Sequence, residues 1–184
     1  MAGHPPWHPV LVPGLAVVFV GFNPSPKAAE TGHYYASPRN RFWELLWTSG
    51  LLPEPLRPED DRRLPDFGYG LTDLVPRATP SSGELSAAEL ARGAEEVRTR
   101  LRAFGPALAA YTGKGVYRAV ARREPEGYGE AAPPTVPGVR DFVLPSPSGR
   151  SGLPWAEKLR WYRALAGEAA AVRAAVPGPP ETAP

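Results

Sequence analysis

Residues 15–26, LAVVFVGFNPSP, join an uncharged apolar run to a short polar loop. The run at 15–20 is β-branched and aromatic, which is typical of a strand buried on both faces of a parallel sheet. A second stretch with the same arrangement, FVLPSPSGR, occupies residues 142–150. Because parallel strands end at one edge of a sheet, where α/β proteins build their sites, we expect the two loops to meet in one cleft.

Helix and strand signals alternate between and around these two stretches. Asn40 is suited to cap a helix that ends at Gly50. Ser86 and Glu89 have the spacing of a capping box and predict a helix to about Phe104. The alternation predicts an α/β fold, a three-layer α/β/α sandwich around a short, mostly parallel β-sheet. The other predicted elements are a strand at 107–112, a helix to about 122, a strand at 140–144, a helix at 154–176, and either a strand or a loop at 70–75.

Segments rich in proline, glycine or charge are predicted to be irregular. They lie at 23–39, at 51–66 on the surface, and at 124–138. A length of 184 residues fits a single domain at 1–184 with its core at about 12–176. The ends, at 1–11 and 177–184, are predicted to be flexible tails.

The composition excludes several classes of protein. No cysteine is present, which excludes disulfides, thiolate nucleophiles and cysteine-ligated clusters. Only three histidines occur, and His4 and His8 lie in the predicted tail, so we expect no metal and no cofactor. Without a run approaching the roughly 20 apolar residues of a membrane span, and without a signal-peptide pattern, the chain is predicted to be cytoplasmic, with no membrane partner. A net charge of +2 does not by itself indicate nucleic-acid binding.

Seven short motifs follow one another along the chain. They are GFNP at 21–24, TGHYY at 31–35, NRFW at 40–43, GLTDLV at 70–75, LS at 85–86, TGK at 112–114 and VLPSPSG at 143–149. This ordered set resembles the mismatch-specific uracil/thymine DNA glycosylase family of the uracil-DNA glycosylase superfamily. The resemblance implies hydrolysis of the N-glycosidic bond of a flipped-out uracil, and potentially of thymine or other damaged pyrimidines, in mismatched duplex DNA. The product would be an abasic site.

The resemblance assigns residues of the first loop to a substrate pocket. Asn23 matches the asparagine that positions the attacking water, and its amide can orient water but does not deprotonate it. Tyr35 matches the aromatic residue on which the extruded base stacks. Phe22, in place of the family's usual Ile, would line the same pocket or pack in the core. Gly21 begins the loop whose backbone N–H groups would bind the oxygens of uracil.

Both candidate catalytic residues, Asn23 and Asp73, also have structural interpretations. Asn23 could serve only as a turn residue before Pro24. Asp73 could bond local backbone N–H groups, or its carboxylate could deprotonate water, in which case the rate should fall at acid pH. The resemblance supplies no role for Asp73. Ser146 stands where many members have Asn, so its shorter side chain reaches less far toward the substrate.

The second loop is expected to contact DNA. Gly149, Arg150 and Ser151 align with the family's wedge, which enters the base stack and fills the space of the extruded nucleotide. Alternatively, Arg150 is an exposed arginine in a flexible loop. Candidates for contacts with the DNA backbone lie elsewhere on the chain. The full set of predicted DNA-binding residues is Ser148, Gly149, Arg150, Ser151, Lys114 and Arg41.

The resemblance implies a monofunctional, mismatch-specific uracil-DNA glycosylase. We expect a monomer in the bacterial cytoplasm that associates with the nucleoid through DNA. A lyase would need an amine nucleophile, and neither loop offers a lysine in the matching catalytic position. One alternative is a non-catalytic module that binds DNA damage on the same fold. Another is an unrelated hydrolase that uses Asp73 with Ser146 or Ser148, although no nucleophile elbow is present.

Overall fold

The centre of the molecule is a five-stranded sheet in the computed structural model, which describes residues 7–175. The strands are β1 (Val17–Gly21), β2 (Tyr69–Asp73), β3 (Leu108–Tyr111), β4 (Gly129–Val136) and β5 (Val139–Val143). Their order across the sheet is β2-β1-β3-β5-β4. All neighbouring pairs are parallel except β4 with β5, so four strands end at the same edge.

Helices cover both faces of this sheet. They are α1 (Pro26–Thr31), α2 (Phe42–Thr48), α3 (Ala87–Phe104), α4 (Lys114–Ala121) and α5 (Trp155–Ala175), with 3-10 helices at Pro58–Phe67 and Ser82–Glu84. Helices α2 and α5 pack on one face, and α3 and α4 on the other. The predicted α/β/α sandwich is therefore confirmed. Within residues 7–175, no helix is both long enough and apolar enough to cross a membrane.

Strand β1 shows why the opening run of the sequence is apolar without interruption. Val17 and Phe19 face α2 and α5, whereas Val18 and Val20 face α3 and α4. Each of these four side chains is buried, because successive residues of a strand point to opposite faces. A central strand of a sheet covered on both sides therefore has no position for a polar side chain.

Helix α3 begins where the capping box predicts. The Ser86 hydroxyl accepts a hydrogen bond from the backbone N–H of Glu89, and the Glu89 carboxylate accepts one from the N–H of Ser86. At α2 the Asn40 side chain accepts a hydrogen bond from the N–H of Phe42, and the helix ends at Thr48. The sequence allowed either a strand or a loop at 70–75, and this segment forms strand β2 up to Asp73.

Two of the predicted loops contain regular structure that packs in the core. The 23–39 segment includes α1, since Ser25 caps the helix and Gly32, with φ of 76°, ends it. The 51–66 segment is not a surface excursion, because Leu52 and Leu64 are buried in it and Asp61 is fully buried. Between its charged residues, this segment carries apolar residues that pack against α2 and the sheet.

The prediction of a loop at 124–138 was wrong for most of its length. Residues 129–136 form β4, which pairs antiparallel with β5 at the edge of the sheet. Prolines are tolerated there because one side of an edge strand makes no ladder hydrogen bonds, and the register shifts between Ala131 and Val136. The proline-rich composition therefore marked an edge strand.

The beginning of the described chain is packed and not a loose tail. Val10 exchanges two backbone hydrogen bonds with Leu71 of β2, of 2.8 and 2.9 Å. A side chain at Gly70 would lie 2.7 Å from the Val10 carbonyl oxygen, so the close approach requires glycine at that position. Residues 7–11 thus differ from the flexible tail predicted at 1–11. Residues 1–6 and the predicted tail at 177–184 lie outside the described residues.

Candidate active site

A cavity of about 140 Å³ opens at the carboxyl edge of the parallel strands. The loops after β1 and β5 form two of its sides. Strand β3 lies between β1 and β5, and all three parallel strands end at this edge, so the two loops meet in one cleft as expected. The end of β2 and the segment between α1 and α2 complete the wall. The predicted site residues that line it are Gly21, Phe22, Asn23, Tyr35, Asp73 and Ser146.

Asn23 lies just beyond β1, with its amide group held from one side. Its Nδ2 donates hydrogen bonds to the carbonyl oxygen of Arg77 (2.8 Å) and to Oγ1 of Thr79 (2.7 Å). A carbonyl oxygen can only accept, so this contact establishes which end of the amide is nitrogen. The Asn23 oxygen therefore faces away from the 77–79 segment. A structural role accounts for the donors of Asn23 and leaves its acceptor for a ligand.

Asp73 ends β2 and lies opposite Gly21 in the parallel register. The residue is 8% exposed, and its Oδ2 accepts a hydrogen bond of 3.0 Å from Nε1 of Trp7. Burial raises the pKa of Asp73 to about 7, while the Trp7 hydrogen bond and the charge of Arg100 act to lower it. Near neutral pH this carboxyl group exchanges between its protonated and ionised forms, as a general base does.

The contacts of Asp73 argue against a purely local structural role. Its carboxylate is bonded by Trp7, a residue 66 positions earlier in the chain, and not by a neighbouring backbone N–H. The guanidinium of Arg100 donates to the backbone oxygen of Asp73 and to Thr72 Oγ1, at 3.1 Å each. The end of the strand is thus held by α3 and by residues 7–11, called here the N-terminal arm.

Tyr35 has a strained backbone and a stacked ring. Its φ of 55° is unusual for a residue with a side chain. The ring stacks on Phe42, with centroids 3.9 Å apart and planes at 21°, and its hydroxyl lies 3.4 Å from Thr112 Oγ1. Burial raises the pKa of Tyr35, so the hydroxyl stays protonated. One face of the ring rests on Phe42, and the residue also borders the cavity.

Phe22 fulfils both roles left open by the sequence. It lines the cavity and also packs against the cluster between the sheet and α3 and α4. A side chain at Gly115 would lie 3.0 Å from the Phe22 ring, so the glycine after Lys114 makes room for this ring. The same side chain is therefore both a wall of the cavity and part of the core.

The loop after β5 is held by hydrogen bonds of its own. Ser146 Oγ accepts from the N–H of Ser148 (3.2 Å), and Ser148 Oγ accepts from the N–H of Arg150 (3.2 Å). The buried Lys158 of α5 donates to the carbonyl oxygen of Ser148 (2.9 Å). Close packing against the backbone of Arg39 leaves no room for a side chain at position 149. This loop is therefore braced by the rest of the fold.

The residues predicted to contact DNA lie outside the cavity wall. Arg150 is exposed, and its guanidinium donates to the Pro80 carbonyl oxygen at 3.0 Å. The Arg41 guanidinium is bonded to Glu44 (2.8 Å) and lies 4.5 Å from the centre of the Trp155 ring. Exposed Lys114 has its amine 4.7 Å above the ring of Tyr128. The set outside the wall is Ser148, Gly149, Arg150, Ser151, Lys114 and Arg41.

Among the residues of this site that sequence reasoning missed are Trp7, Thr112 and Thr79. Trp7 lies in the cavity wall although its neighbourhood was predicted to be a tail, and no local pattern marks it. Thr112 also lines the cavity, at the end of β3, within a motif already recognised. Thr79 holds the Asn23 amide from a loop 56 residues away in sequence. Within residues 7–175, no three acidic or histidine side chains gather as metal ligands would.

Burial of Asp73 predicts a pH-dependent loss of stability. The pKa of Asp73 is about 7 in the folded protein, against an ordinary value of 3.8. The neutral carboxyl group therefore contributes its full stability below about pH 4, and this contribution is lost as the pH rises through 7 and the buried group ionises. Asp73→Asn removes the cost of burying the charge. In urea unfolding, the difference in free energy of unfolding between the variant and wild type should increase by on the order of 2–3 kcal/mol in favour of the variant as the pH rises from 5 to 9. Parallel stability curves for the two proteins would contradict the raised pKa.

This chain is similar to known proteins over most of its length. The sequence profile of the Uracil DNA glycosylase superfamily matches residues 8–166. Among solved structures, the chain is similar to the solution NMR structure of a protein from Methanosarcina acetivorans described as a candidate uracil DNA glycosylase. The two share 17% sequence identity and superpose with a TM-score of 0.56, over 90% of this chain and 98% of the other. At that identity the likeness concerns the fold.

Proposed function

This chain belongs to the uracil DNA glycosylase superfamily, and we propose that it hydrolyses the bond between uracil and deoxyribose in mismatched duplex DNA. The observation that carries the proposal is that Asn23 and Asp73 line one cavity at the carboxyl edge of the sheet. Its volume of about 140 Å³ is close to the roughly 150 Å³ of an engineered cavity that accommodates a benzene ring. A single pyrimidine ring therefore matches the size of the cavity.

In the proposed reaction, the target nucleotide leaves the base stack and its base enters the cavity. The oxygen of Asn23 accepts a hydrogen bond from a water molecule and so orients it. The ionised carboxylate of Asp73 takes a proton from this water as its oxygen bonds to C1′ of the sugar. The electrons of the broken C1′–N1 bond pass to uracil, and the sugar develops oxocarbenium character on the way.

Recognition of the base would involve stacking and backbone donors. Tyr35, already backed by Phe42, offers an aromatic surface to the flipped base. Backbone N–H groups of the loop at 21–24 would stabilise the negative charge that develops on uracil. A mismatched uracil is easier to extrude than a paired one, which favours U:G over U:A as the substrate.

The proposed product is an abasic site, with the DNA strand intact. Strand cleavage by a lyase needs an amine within reach of C1′. No lysine occurs among the residues that line the cavity in the described part of the chain. Lys158 is engaged with the carbonyl oxygen of Ser148, and Lys114 lies over Tyr128. We therefore propose a monofunctional enzyme that acts on mismatched or damaged DNA.

Single-turnover assays on labelled duplexes test this function. We expect excision from U:G, slower excision from U:A and T:G, and none from C:G, with strand breaks appearing only after hot alkali. The control is the double variant Asn23→Ala/Asp73→Asn, purified in the same way, which should be slower than wild type by about 10³-fold. Tight binding of U:G duplexes without excision by folded wild-type protein would replace the glycosylase with a module that binds DNA damage.

Replacement of Gly21 should disable the site through Asp73. A side chain at position 21 would overlap Oδ1 of Asp73 and lie 3.1 Å from the Tyr35 hydroxyl. We expect Gly21→Ala to slow excision roughly 10- to 100-fold, because displacing a reacting group by about 1 Å has effects of that size. Gly127→Ala is the matched control, since no atom lies within 4 Å of its added carbon. Equal rates for both variants would show that Asp73 can move without consequence.

Arg150 should matter for duplex DNA and not for single strands. If its side chain fills the space left by the extruded nucleotide, Arg150→Ala should lower excision from a U:G duplex about tenfold, equivalent to 1.4 kcal/mol. Excision from a single strand should change little, because there is no stack to fill. Arg102→Ala is the control, being exposed in the last turn of α3, toward the opposite edge of the sheet. Equal losses on both substrates would contradict the wedge.

A further inference from the structure

The N-terminal arm brings an indole N–H to the acidic residue of the cavity. We infer that Trp7 is a positioning residue that orients the Asp73 carboxylate to accept a proton from the attacking water; the inference rests on the proposed function. Trp7 Nε1 donates to Asp73 Oδ2 at 3.0 Å, and both residues line the cavity. An indole N–H can donate but not accept, so it binds a carboxylate oxygen and cannot replace the base itself.

The indole packs against a buried tyrosine that is itself held by a hydrogen bond. Its ring lies 4.4 Å from the ring of the buried Tyr34, centre to centre, with the planes tilted by 40°. The Tyr34 hydroxyl in turn donates to the carbonyl oxygen of His8 at 3.3 Å. This ring contact limits the orientations that Trp7 can adopt, and the hydrogen bond to His8 holds Tyr34 in place. The N–H is therefore presented to Asp73 in one direction.

The same strand that ends in Asp73 also anchors the arm. Val10 and Leu71 form a reciprocal pair of backbone hydrogen bonds, and Leu71 precedes Asp73 by two positions on β2. Gly70 permits this approach, since a side chain there would strike the Val10 carbonyl oxygen and Leu15. The Val10–Leu71 pair thus holds the segment after Trp7 alongside the strand that ends in Asp73.

Binding of one carboxylate oxygen leaves the other for the reaction. Oδ2 is occupied by Trp7, while Oδ1 is the Asp73 atom that lies against Gly21, beside the loop that carries Asn23. A carboxylate held at one oxygen cannot rotate freely about its last bond, so the lone pairs of Oδ1 keep one direction. A water between Asn23 and Oδ1 would meet an acceptor already oriented for proton transfer.

The other titratable groups coupled to the charge of Asp73 are Arg100, Tyr34 and Tyr35. Arg100 of α3 favours the ionised form, and the hydroxyls of Tyr34 and Tyr35 stay protonated because burial and the charge of Asp73 raise their pKa values. Removing the indole N–H leaves these three groups in place and takes away one hydrogen bond to the ionised carboxylate. The pKa of Asp73 must then rise.

The first test is the pH dependence of single-turnover excision by Trp7→Phe. Phenylalanine keeps an aromatic ring in the wall and lacks the N–H. We expect the acid limb of the profile to move upward by about one pH unit, with a roughly tenfold loss at low pH and a smaller loss at high pH. Trp161→Phe is the matched control, since Trp161 Nε1 donates to the Glu157 carboxylate at 3.1 Å outside the cavity. A uniform loss at every pH would indicate packing alone and overturn the inference.

A second test does not depend on catalysis. The chain has five tryptophans, so five indole N–H resonances can be followed by NMR, and that of Trp7 is identified by its loss in Trp7→Phe. We expect this resonance to shift with a midpoint near pH 7 in wild type and to remain constant in Asp73→Asn. A Trp7 resonance that does not titrate would overturn the inference even with normal excision. If wild type shows no excision while the Trp7 resonance still titrates, the proposed function is overturned and the contact between Trp7 and Asp73 is established.

Discussion

Asp73→Asn is expected to slow single-turnover excision of uracil from a U:G duplex by about 10³-fold, within the range of 10²–10⁴ for loss of a general base. Asparagine has nearly the same shape and can still accept the hydrogen bond from Trp7, but it cannot accept a proton from water. The fold and the cavity should therefore persist while the proton transfer is lost. Rates measured under excess enzyme give this step without a contribution from product release.

The pH profile makes this prediction specific. Since the pKa of Asp73 is about 7, the wild-type rate should increase with pH up to about 7 and then level off, whereas the residual rate of Asp73→Asn should lack that limb. Asp66→Asn is the matched control, because Asp66 is exposed near the opposite edge of the sheet. A variant rate within a fewfold of wild type, with the acid limb retained, would move the proton transfer to another group.

Asn23→Ala is expected to reduce the same rate by roughly 10²- to 10³-fold, because the attacking water would lose the acceptor that orients it. The change also removes two donors, to Arg77 and Thr79, so part of the loss could come from movement of the loop. Thr79→Ala separates these effects, since it deletes one partner of the amide and leaves Asn23 itself. We expect that variant to lose activity less than tenfold, well short of the value for Asn23→Ala.

The double variant Asn23→Ala/Asp73→Asn shows whether the two residues act on one water molecule. If they do, their effects will not multiply, and the double variant will be about as slow as Asp73→Asn alone. Multiplicative losses would indicate independent steps. A large loss for Asp73→Asn combined with a small one for Asn23→Ala would retain the reaction and assign its chemistry to the carboxylate.

Local signals predicted those elements whose stability depends on neighbours along the chain. The capping box at Ser86 needs only Glu89 three positions later, and α3 begins there. The apolar run at 15–20 predicted a strand covered on both faces, and β1 is such a strand. Proline-rich segments failed as predictors of loops, because β4 tolerates prolines at the edge of the sheet and Pro26 begins α1.

Residues of the candidate site that lie in short motifs were predictable from the sequence, whereas residues that depend on distant partners were not. Asn23 and Tyr35 could be located from motifs, since both lie in loops whose composition carries the resemblance. Trp7 could not, because its partner Asp73 is 66 residues away and nothing near Trp7 in sequence indicates that pairing. Asp61 was likewise hidden in a charged segment, although it is fully buried and accepts a hydrogen bond from the Tyr34 N–H at 3.0 Å.

The order of residues in this chain was enough to predict a parallel sheet, the loops at its carboxyl edge and the family resemblance, because hydrophobic periodicity and short motifs act over a few positions. The proton affinity of Asp73 depended on the assembled fold. Its burial, the indole of Trp7 and the guanidinium of Arg100 come from separate elements, and electrostatic effects sum over neighbours in space. A carboxyl group with a pKa of about 7 is therefore a property of the folded molecule, and the proposed chemistry depends on it.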